Sequence, residues 1–242
     1  MRLFLRLAAF AAIWAMSGLS VSAQTTGSVS GPIVKPGPPV VQYRVSWLPG
    51  EEGGPDRIGQ RLEWDTNLDD RHDLHLFASA GGPSNDQELT SLNSELVWAL
   101  SPENATRWKT ALRFDASVGL NGRASAVGMD WINEISFDGG WSARAMVLTA
   151  VQIGENRKDG MFLQSRFRLN RRLAGGQDIG LELYDGYGST EALGSFNDEN
   201  HRAGPYLSQP LANGWNLYSG VLLGLSDRAA GSEFRLWISK TL

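Results

Sequence analysis

Residues 106–119, TRWKTALRFDASVG, alternate apolar and polar side chains with a strict two-residue period. One face carries Trp108, Leu112 and Phe114, and the other face carries Arg113 and Asp115. This is the period of a β-strand, in which successive side chains point to opposite sides. Strands in soluble sheets have about five or six residues, so this run is unusually long. It predicts a long strand with one apolar and one charged face.

Three more runs, at 127–137, 141–153 and 161–170, repeat the same alternation. Long strands of this kind suit a wall between lipid and a polar interior. We therefore predict an all-β fold, a single antiparallel up-and-down transmembrane β-barrel of about 12 strands over residues 41–242, with about 10 strands as the fallback. The weaker strand signals that complete the count lie at 41–47, 61–66, 74–78, 92–100, 178–187, 201–209, 214–226 and 232–242.

The N-terminus indicates export. Residues 1–23 have the pattern of a signal peptide, because two arginines precede an apolar run and Ala23 closes a small-residue cleavage site. The competing interpretation is a membrane anchor, which is normally longer. Residues 24–40 are rich in Pro, Gly, Ser and Thr without a period, which predicts a flexible leader. No later stretch approaches the roughly twenty apolar residues of a spanning helix, so a membrane location requires a closed barrel.

Composition excludes several functions. The chain has 242 residues, a net charge of −4 and no cysteine. The charge gives no reason to expect nucleic acid as a partner, and the absence of cysteine excludes disulfides, cysteine zinc sites and thiol chemistry. The sequence therefore predicts one domain whose expected partners are outer-membrane lipid and a small solute.

Aromatic residues gather at one level of the predicted barrel. Each lies on the apolar face, near the end of its strand at a tight turn that we assign to the periplasmic side. Rings with a polar edge are favoured at a lipid headgroup boundary. The alternative is the aromatic core of a soluble β-sandwich. The predicted belt consists of Trp64, Trp98, Trp108, Phe137, Trp141 and Trp215.

The opposite face is charged and is predicted to line the lumen. Opposite signs on neighbouring strands indicate either a packed ion-pair network or a lining that selects solutes. We expect Arg113 to pair with Asp130 or Glu134, Arg144 with either of the same two acids, and Arg168 or Arg166 with Glu182. The predicted lining residues are Arg113, Asp115, Asp130, Glu134, Arg144, Arg166, Arg168 and Glu182.

No enzymatic motif marks the chain. The alternative, an outer-membrane hydrolase, would place a His–Ser pair at the outer rim of the barrel. His72 and His75 have a spacing that could bind a metal, but their position near a turn favours solvated histidines. We predict no catalytic residues, no metal and no cofactor.

The C-terminal sequence resembles the closing strands of small outer-membrane β-barrels of Gram-negative bacteria. The resemblance lies in HRAGPY at 201–206, NGWNLYSGVLLGLSD at 213–227 and EFRLWI at 233–238. Among those barrels it is similar to the transporter-like proteins of the phenol meta-pathway type. The resemblance implies an outer-membrane location and insertion by the barrel assembly machinery, which reads an aromatic last residue. Here Leu242 stands in that place and Lys240 interrupts the apolar face.

These observations predict a passive outer-membrane channel or transport component for a small solute. Two alternatives remain open at this point. One is a structural or surface-interaction barrel with a plugged lumen. The other is a soluble periplasmic barrel that binds an apolar ligand inside, with its apolar side chains facing inward.

Overall fold

The computed structural model describes residues 26–51, 53–102 and 104–242, so the predicted signal peptide lies outside the described residues. Within these described residues, every strand is long except one. The strands are β1 (Val40–Leu48), β2 (Arg57–Asn67), β3 (His72–Pro83), β4 (Glu88–Ala99), β5 (Trp108–Gly119), β6 (Ser125–Ser136), β7 (Trp141–Ile153), β8 (Met161–Arg172), β9 (Asp178–Ser189), β10 (Ala192–Leu193), β11 (His201–Pro210), β12 (Trp215–Gly224) and β13 (Ser232–Thr241).

The strands close into a barrel. Along the wall, each strand pairs antiparallel with its neighbours, and β13 pairs with β1 so that Val40 lies opposite Thr241. The two-residue strand β10 pairs only with the end of β9 and does not belong to the wall. The predicted antiparallel barrel of about 12 strands is confirmed, because closure leaves no unpaired sheet edge.

The two rims differ. Short turns join β2 to β3, β6 to β7 and β11 to β12. We call this end of the barrel the turn rim. Gly139 and Asn213 adopt positive φ angles of 74° and 57° in two of these turns. At the opposite end, the loop rim, the longest connection covers residues 190–200 and contains β10 and a 3-10 turn at Phe196–Asp198. The barrel therefore has the loop asymmetry that outer-membrane barrels show.

Asp69 organises the β2–β3 turn. Its Oδ1 accepts hydrogen bonds from the backbone N–H groups of Arg71 at 2.7 Å and His72 at 2.8 Å. These bonds, with one from the His72 ring, lower the pKa of the Asp69 carboxyl because they stabilise its charged form. These hydrogen bonds within residues 69–72 hold the conformation of the turn.

The two faces of the wall have opposite character. Outward-facing side chains are apolar and exposed, as in Trp108, Phe114, Met129, Val147 and Phe167. Inward-facing side chains include many buried charges. A soluble ligand-binding barrel would need the reverse arrangement. Of the remaining residues that the alternation places outward, Trp131 and Val151 are exposed, and Leu112 and Leu163 are half-buried.

The six predicted belt residues all lie on the outer face, at or near the turn rim. Their exposed fractions range from 38% to 59%. An apolar outer band with a ring of aromatic side chains at its edge is the surface that a bilayer covers. The residues are Trp64, Trp98, Trp108, Phe137, Trp141 and Trp215. Among the described residues, no helix is long and apolar enough to cross a membrane.

Candidate functional site in the barrel lumen

All eight predicted lining residues point into the lumen. Five of them are buried, and the other three are half-buried. Three predicted ion pairs are formed by strand neighbours that face each other directly in the register. These pairs are Arg113 with Asp130, Arg144 with Glu134, and Arg168 with Glu182.

Arg113 is the centre of one network on β4, β5 and β6. Its guanidinium contacts Asp130, lies 3.1 Å from Glu95 Oε2 and lies 3.0 Å from Asp115 Oδ1. One cation among three carboxylates leaves local negative charge, which a low-dielectric interior makes costly. The lining is therefore densely charged with both signs in contact.

Of the two arginines that could pair with Glu182, Arg168 forms the contact and Arg166 does not. The register places Arg168 opposite Glu182 but places Arg166 opposite Tyr184. The guanidinium of Arg166 lies 5.6 Å from the centre of the Tyr184 ring, and its Nη1 donates to the backbone oxygen of Ser28 at 2.8 Å. Cross-strand register decides which arginine takes the carboxylate.

A second charged group, on β1, β2, β4, β11 and β13, was not among the predicted lining residues. The signal was present in the sequence, because Phe234 and Leu236 on the outer face place Glu233 and Arg235 on the inner face. In these strands the alternation of apolar and charged residues extends over fewer positions, so the sequence indicated their inner face less clearly. The additional residues are Arg44, Arg61, Glu63, Glu95, Arg202, Glu233 and Arg235.

Glu95 joins the two charged groups, because it contacts Arg113 and its Oε1 lies 3.6 Å from Arg61 Nη2. Glu182 lies between Arg168 and Arg235, beside an aromatic stack. Glu182 Oε2 accepts hydrogen bonds from Tyr184 Oη at 2.9 Å and from Tyr218 Oη at 2.7 Å. The Tyr218 ring stacks on Trp237 at 3.8 Å and on Tyr206 at 5.5 Å. Phenol donors to a buried carboxylate stabilise its charged form, so this part of the lumen is polar but well satisfied.

The only metal-ligand group with three members among the described residues is Glu63, Asp65 and His75, whose ligand atoms lie within 4.8 Å of one another. Glu63 already contacts Arg61 and accepts a hydrogen bond from Arg44 at 2.9 Å. A carboxylate held by two guanidinium groups is a poor metal ligand, because the cations repel the ion. The cluster is best described as an ion-pair network.

The turn histidines differ from the prediction in one respect. His72 does lie at the turn, where its ring contacts Asp69 and stacks on Trp98 at 6.0 Å. His75 instead points into the lumen and lies 3.3 Å from Asp65 Oδ1. The expectation of two solvated turn histidines was wrong for His75. Side chains three positions apart on a strand point to opposite faces, so His72 and His75 cannot both face outward.

The leader enters the lumen. The sequence predicted a flexible segment at 24–40, but Thr26 to Val34 lie among inward-facing side chains, and Val29 is 1% exposed. Ser30 donates its backbone N–H to Met146 Sδ at 3.1 Å. Arginines from around the wall donate to the segment's backbone oxygens. Buried guanidinium groups need acceptors, and an unstructured peptide supplies one at each residue.

The middle of the lumen is filled by side chains and leader. Val29 of the leader packs in one buried cluster with Ile132, Met146 and Leu222 of the wall. Near the loop rim, a cavity of about 10 Å³ is lined partly by Gln164 and Tyr184. That volume holds about one water molecule. At mid-height the lumen is therefore occupied by the leader and by buried side chains of the wall.

A Ser–Asp–His group lies outside the lumen, near the loop rim. His201 Nδ1 is 2.8 Å from Asp185 Oδ1, and Ser165 Oγ donates to Asp185 Oδ2 at 3.3 Å. Phe196 stacks on the His201 ring at 4.2 Å. Nucleophilic catalysis by serine places the imidazole between serine and carboxylate, whereas here the carboxylate lies between the other two. The arrangement does not activate Ser165.

Comparisons with known proteins agree with the fold. The KdgM porin has 12% sequence identity and a TM-score of 0.61, covering 84% of this chain and 99% of that one. The NanC porin has 9% identity and a TM-score of 0.62, covering 84% and 100%. The β domain of the Bordetella autotransporter BrkA has 15% identity and a TM-score of 0.50, covering 86% and 100%.

No protein-family model matches the chain, and no curated protein matches it. At such low identities, the likeness to solved structures shows the fold alone. The resemblance read from the sequence is confirmed to that extent, since these neighbours are outer-membrane β-barrels.

Proposed function

We propose that the protein is an outer-membrane channel or transport component for a small acidic solute. The observation that carries the proposal is the contact between lumen arginines and the leader: guanidinium groups of Arg44, Arg144, Arg166 and Arg235 donate to neutral carbonyl oxygens. A carboxylate is a stronger acceptor for the same groups. Arg44, Arg144 and Arg235 also contact carboxylates of the wall, so the donors that a solute can use are the N–H groups now directed at the carbonyl oxygens. These donors favour anions over neutral solutes.

The structural neighbours support this choice of solute. One structure of the KdgM porin is a complex with disordered oligogalacturonate, an oligomer of a sugar acid. Porins of similar shape thus include one that holds an acidic oligosaccharide. The finer resemblance to barrels of the phenol meta-pathway type stays a prediction that these comparisons do not test.

The proposed location is the outer membrane, with the turn rim facing the periplasm. The apolar outer face and its aromatic belt support contact with lipid. Cleavage after Ala23 and insertion by the barrel assembly machinery are part of the same proposal. No lining residue is proposed as catalytic.

A structural barrel with a plugged lumen is the second candidate. The observation in its favour is that Val29 and the wall side chains occupy the lumen at mid-height. A permanently closed barrel and a channel in its closed state have the same static appearance. Selectivity and stability of a variant at the lining separate them.

Replacing Arg144 by alanine is expected to reduce anion selectivity with a modest loss of stability. Arg144 retains 26% exposure of its side chain, whereas that of its partner Glu134 is 7% exposed, so the loss should lie between that of an exposed pair and that of a buried pair. In the presence of trigalacturonate, the reversal potential across a planar bilayer should shift toward cations. A loss of about 1 kcal/mol would lower Tm by about 2–4 °C.

Arg157 provides the control, because it lies in a loop and its side chain is 57% exposed beside Asp159. Arg157→Ala should leave both reversal potential and Tm unchanged. The plugged structural barrel would be favoured by two results together: a large loss of stability in Arg144→Ala, and no conductance in the natural protein or in this variant.

A further inference from the structure

We propose that residues 26–34 form a removable plug, and that an acidic solute opens the lumen by taking over the arginines that hold the plug. This inference rests on the proposed function and specifies how its site is gated. We call these residues the plug.

Backbone oxygens, not side chains, anchor residues 26–29 of the plug. Four consecutive carbonyl groups each accept a hydrogen bond from a different arginine on a different strand. The hydroxyl oxygen of Tyr184, whose single hydrogen is donated to Glu182 Oε2, also lies 3.3 Å from Gly27 O. The arginine contacts are Arg44 Nη1 to Thr26 O (3.0 Å), Arg235 Nη1 to Gly27 O (3.3 Å), Arg166 Nη1 to Ser28 O (2.8 Å) and Arg144 Nη1 to Val29 O (3.4 Å).

The next residue continues this track through its side chain. Arg113 Nη1 donates to Ser30 Oγ at 3.1 Å, so guanidinium donors contact five consecutive residues. A carboxylate can accept two parallel hydrogen bonds from one guanidinium and adds charge attraction that a carbonyl lacks. An extended oligomer with a carboxylate on each unit therefore fits this track and competes with the plug for it.

The plug is built for close approach of the arginines. A Cβ atom added at Gly27 would lie 2.9 Å from Arg166 Nη1, and one added at Gly31 would lie 3.0 Å from Arg144 Cζ. Larger residues at either position would push the guanidinium groups away. The apolar side chains that the plug buries are small or medium in size: Val29, Pro32 and Val34. Withdrawal therefore exposes these three side chains and disrupts hydrogen bonds that a solute can replace.

The attachment of the plug allows it to leave. Residues 35–38 are exposed and lead to β1 at the turn rim, so the plug is tied to the wall at one end only within the described chain. Cleavage after Ala23, as the sequence predicts, would give a free N-terminus just before Thr26. Movement out of the lumen then requires no strand of the wall to separate.

Cysteine labelling tests the displacement directly, because the natural chain has no cysteine. Val29→Cys in the full mature chain, folded in liposomes, should react slowly with a charged maleimide, since Val29 is 1% exposed. Trigalacturonate should accelerate the labelling several-fold, and neutral maltotriose should not. Gly37→Cys, in the exposed connection, should react quickly under all conditions.

Two results would overturn the inference. One is fast labelling of Val29→Cys without solute, which would mean that the plug is not seated. The other is slow labelling that trigalacturonate leaves unchanged. If Val29→Cys does not fold, Val34→Cys carries the same test, because Val34 is 9% exposed and belongs to the same buried cluster.

Uptake of trigalacturonate by the same liposomes separates this inference from the proposed function. Accelerated labelling without uptake supports displacement of the plug and contradicts the channel. Uptake without accelerated labelling supports the channel and contradicts the plug. The two claims therefore fail in different measurements.

Discussion

Replacing Arg235 by alanine is expected to destabilise the barrel by about 3–5 kcal/mol, the cost of breaking a buried ion pair from one side. The Arg235 side chain is 1% exposed, and its Nε lies 2.7 Å from Glu233 Oε1. Its Nη1 lies 3.7 Å from Glu182 Oε2, so two buried carboxylates lose part of their compensation. Equilibrium unfolding in urea, followed by tryptophan fluorescence in lipid vesicles, measures the change.

The matched control is Arg172→Ala. Arg172 also contacts an acid, Asp178, but its side chain is 63% exposed at the turn rim. Exposed pairs contribute about 0–1 kcal/mol. Equal losses for the two variants would contradict the description of the lumen as a buried ionic network. Adding Glu233→Gln to Arg235→Ala should restore part of the stability, because it removes one of the carboxylates left uncompensated.

Replacing Val147 by arginine is expected to cost about 2–4 kcal/mol, the penalty for arginine on the lipid face at the bilayer midplane. Val147 is 49% exposed, lies at the middle of β7 and faces outward between Trp131 and Ser165 of the neighbouring strands. On a water-exposed wall, the same substitution would be nearly neutral. Folded yield in vesicles, read as the heat-modifiable band on a gel, and urea unfolding measure the effect.

Val118→Arg is the depth control. Val118 is 56% exposed and lies one residue before the end of β5 at the loop rim. Near the interface, arginine costs about 0–1 kcal/mol because its side chain reaches the headgroups. Two equal, small effects would mean that the outer face of the barrel is not covered by lipid.

The strand pattern predicted the fold because one physical rule governs the whole wall. In a barrel between lipid and a polar interior, every residue has one of two environments, so alternation alone assigns its facing. Residues 106–119 show the rule most clearly, and β5 occupies Trp108–Gly119. The rule also predicted the contact between Arg144 and Glu134, since these residues are direct cross-strand partners.

The role of the leader could not be predicted in the same way. Its contacts use backbone oxygens, which every residue has, so residues 26–34 carry no pattern that distinguishes a bound segment from a flexible one. Only the three-dimensional position of Arg44, Arg166 and Arg235, which come from distant parts of the chain, shows that the segment has partners. Small residues such as Gly27 and Gly31 suit a close approach but are equally common in linkers.

The Ser165–Asp185–His201 group could not be predicted from the sequence either. The three residues lie on three different strands, and only the pairing of β8 with β9 and of β9 with β11 brings them together. The order of their contacts, with Asp185 in the middle, is a geometric fact that spacing along the chain does not contain.

Solute uptake by liposomes tests the central claim, that the barrel is a channel for small acidic solutes, most directly. The mature protein, inserted in vesicles, is exposed in parallel to trigalacturonate and to maltotriose, which have similar size and differ in charge. Because guanidinium donors line the lumen, the account predicts uptake of the acid well above that of protein-free vesicles and faster than that of the neutral sugar. Uptake of neither solute above the protein-free rate would contradict it.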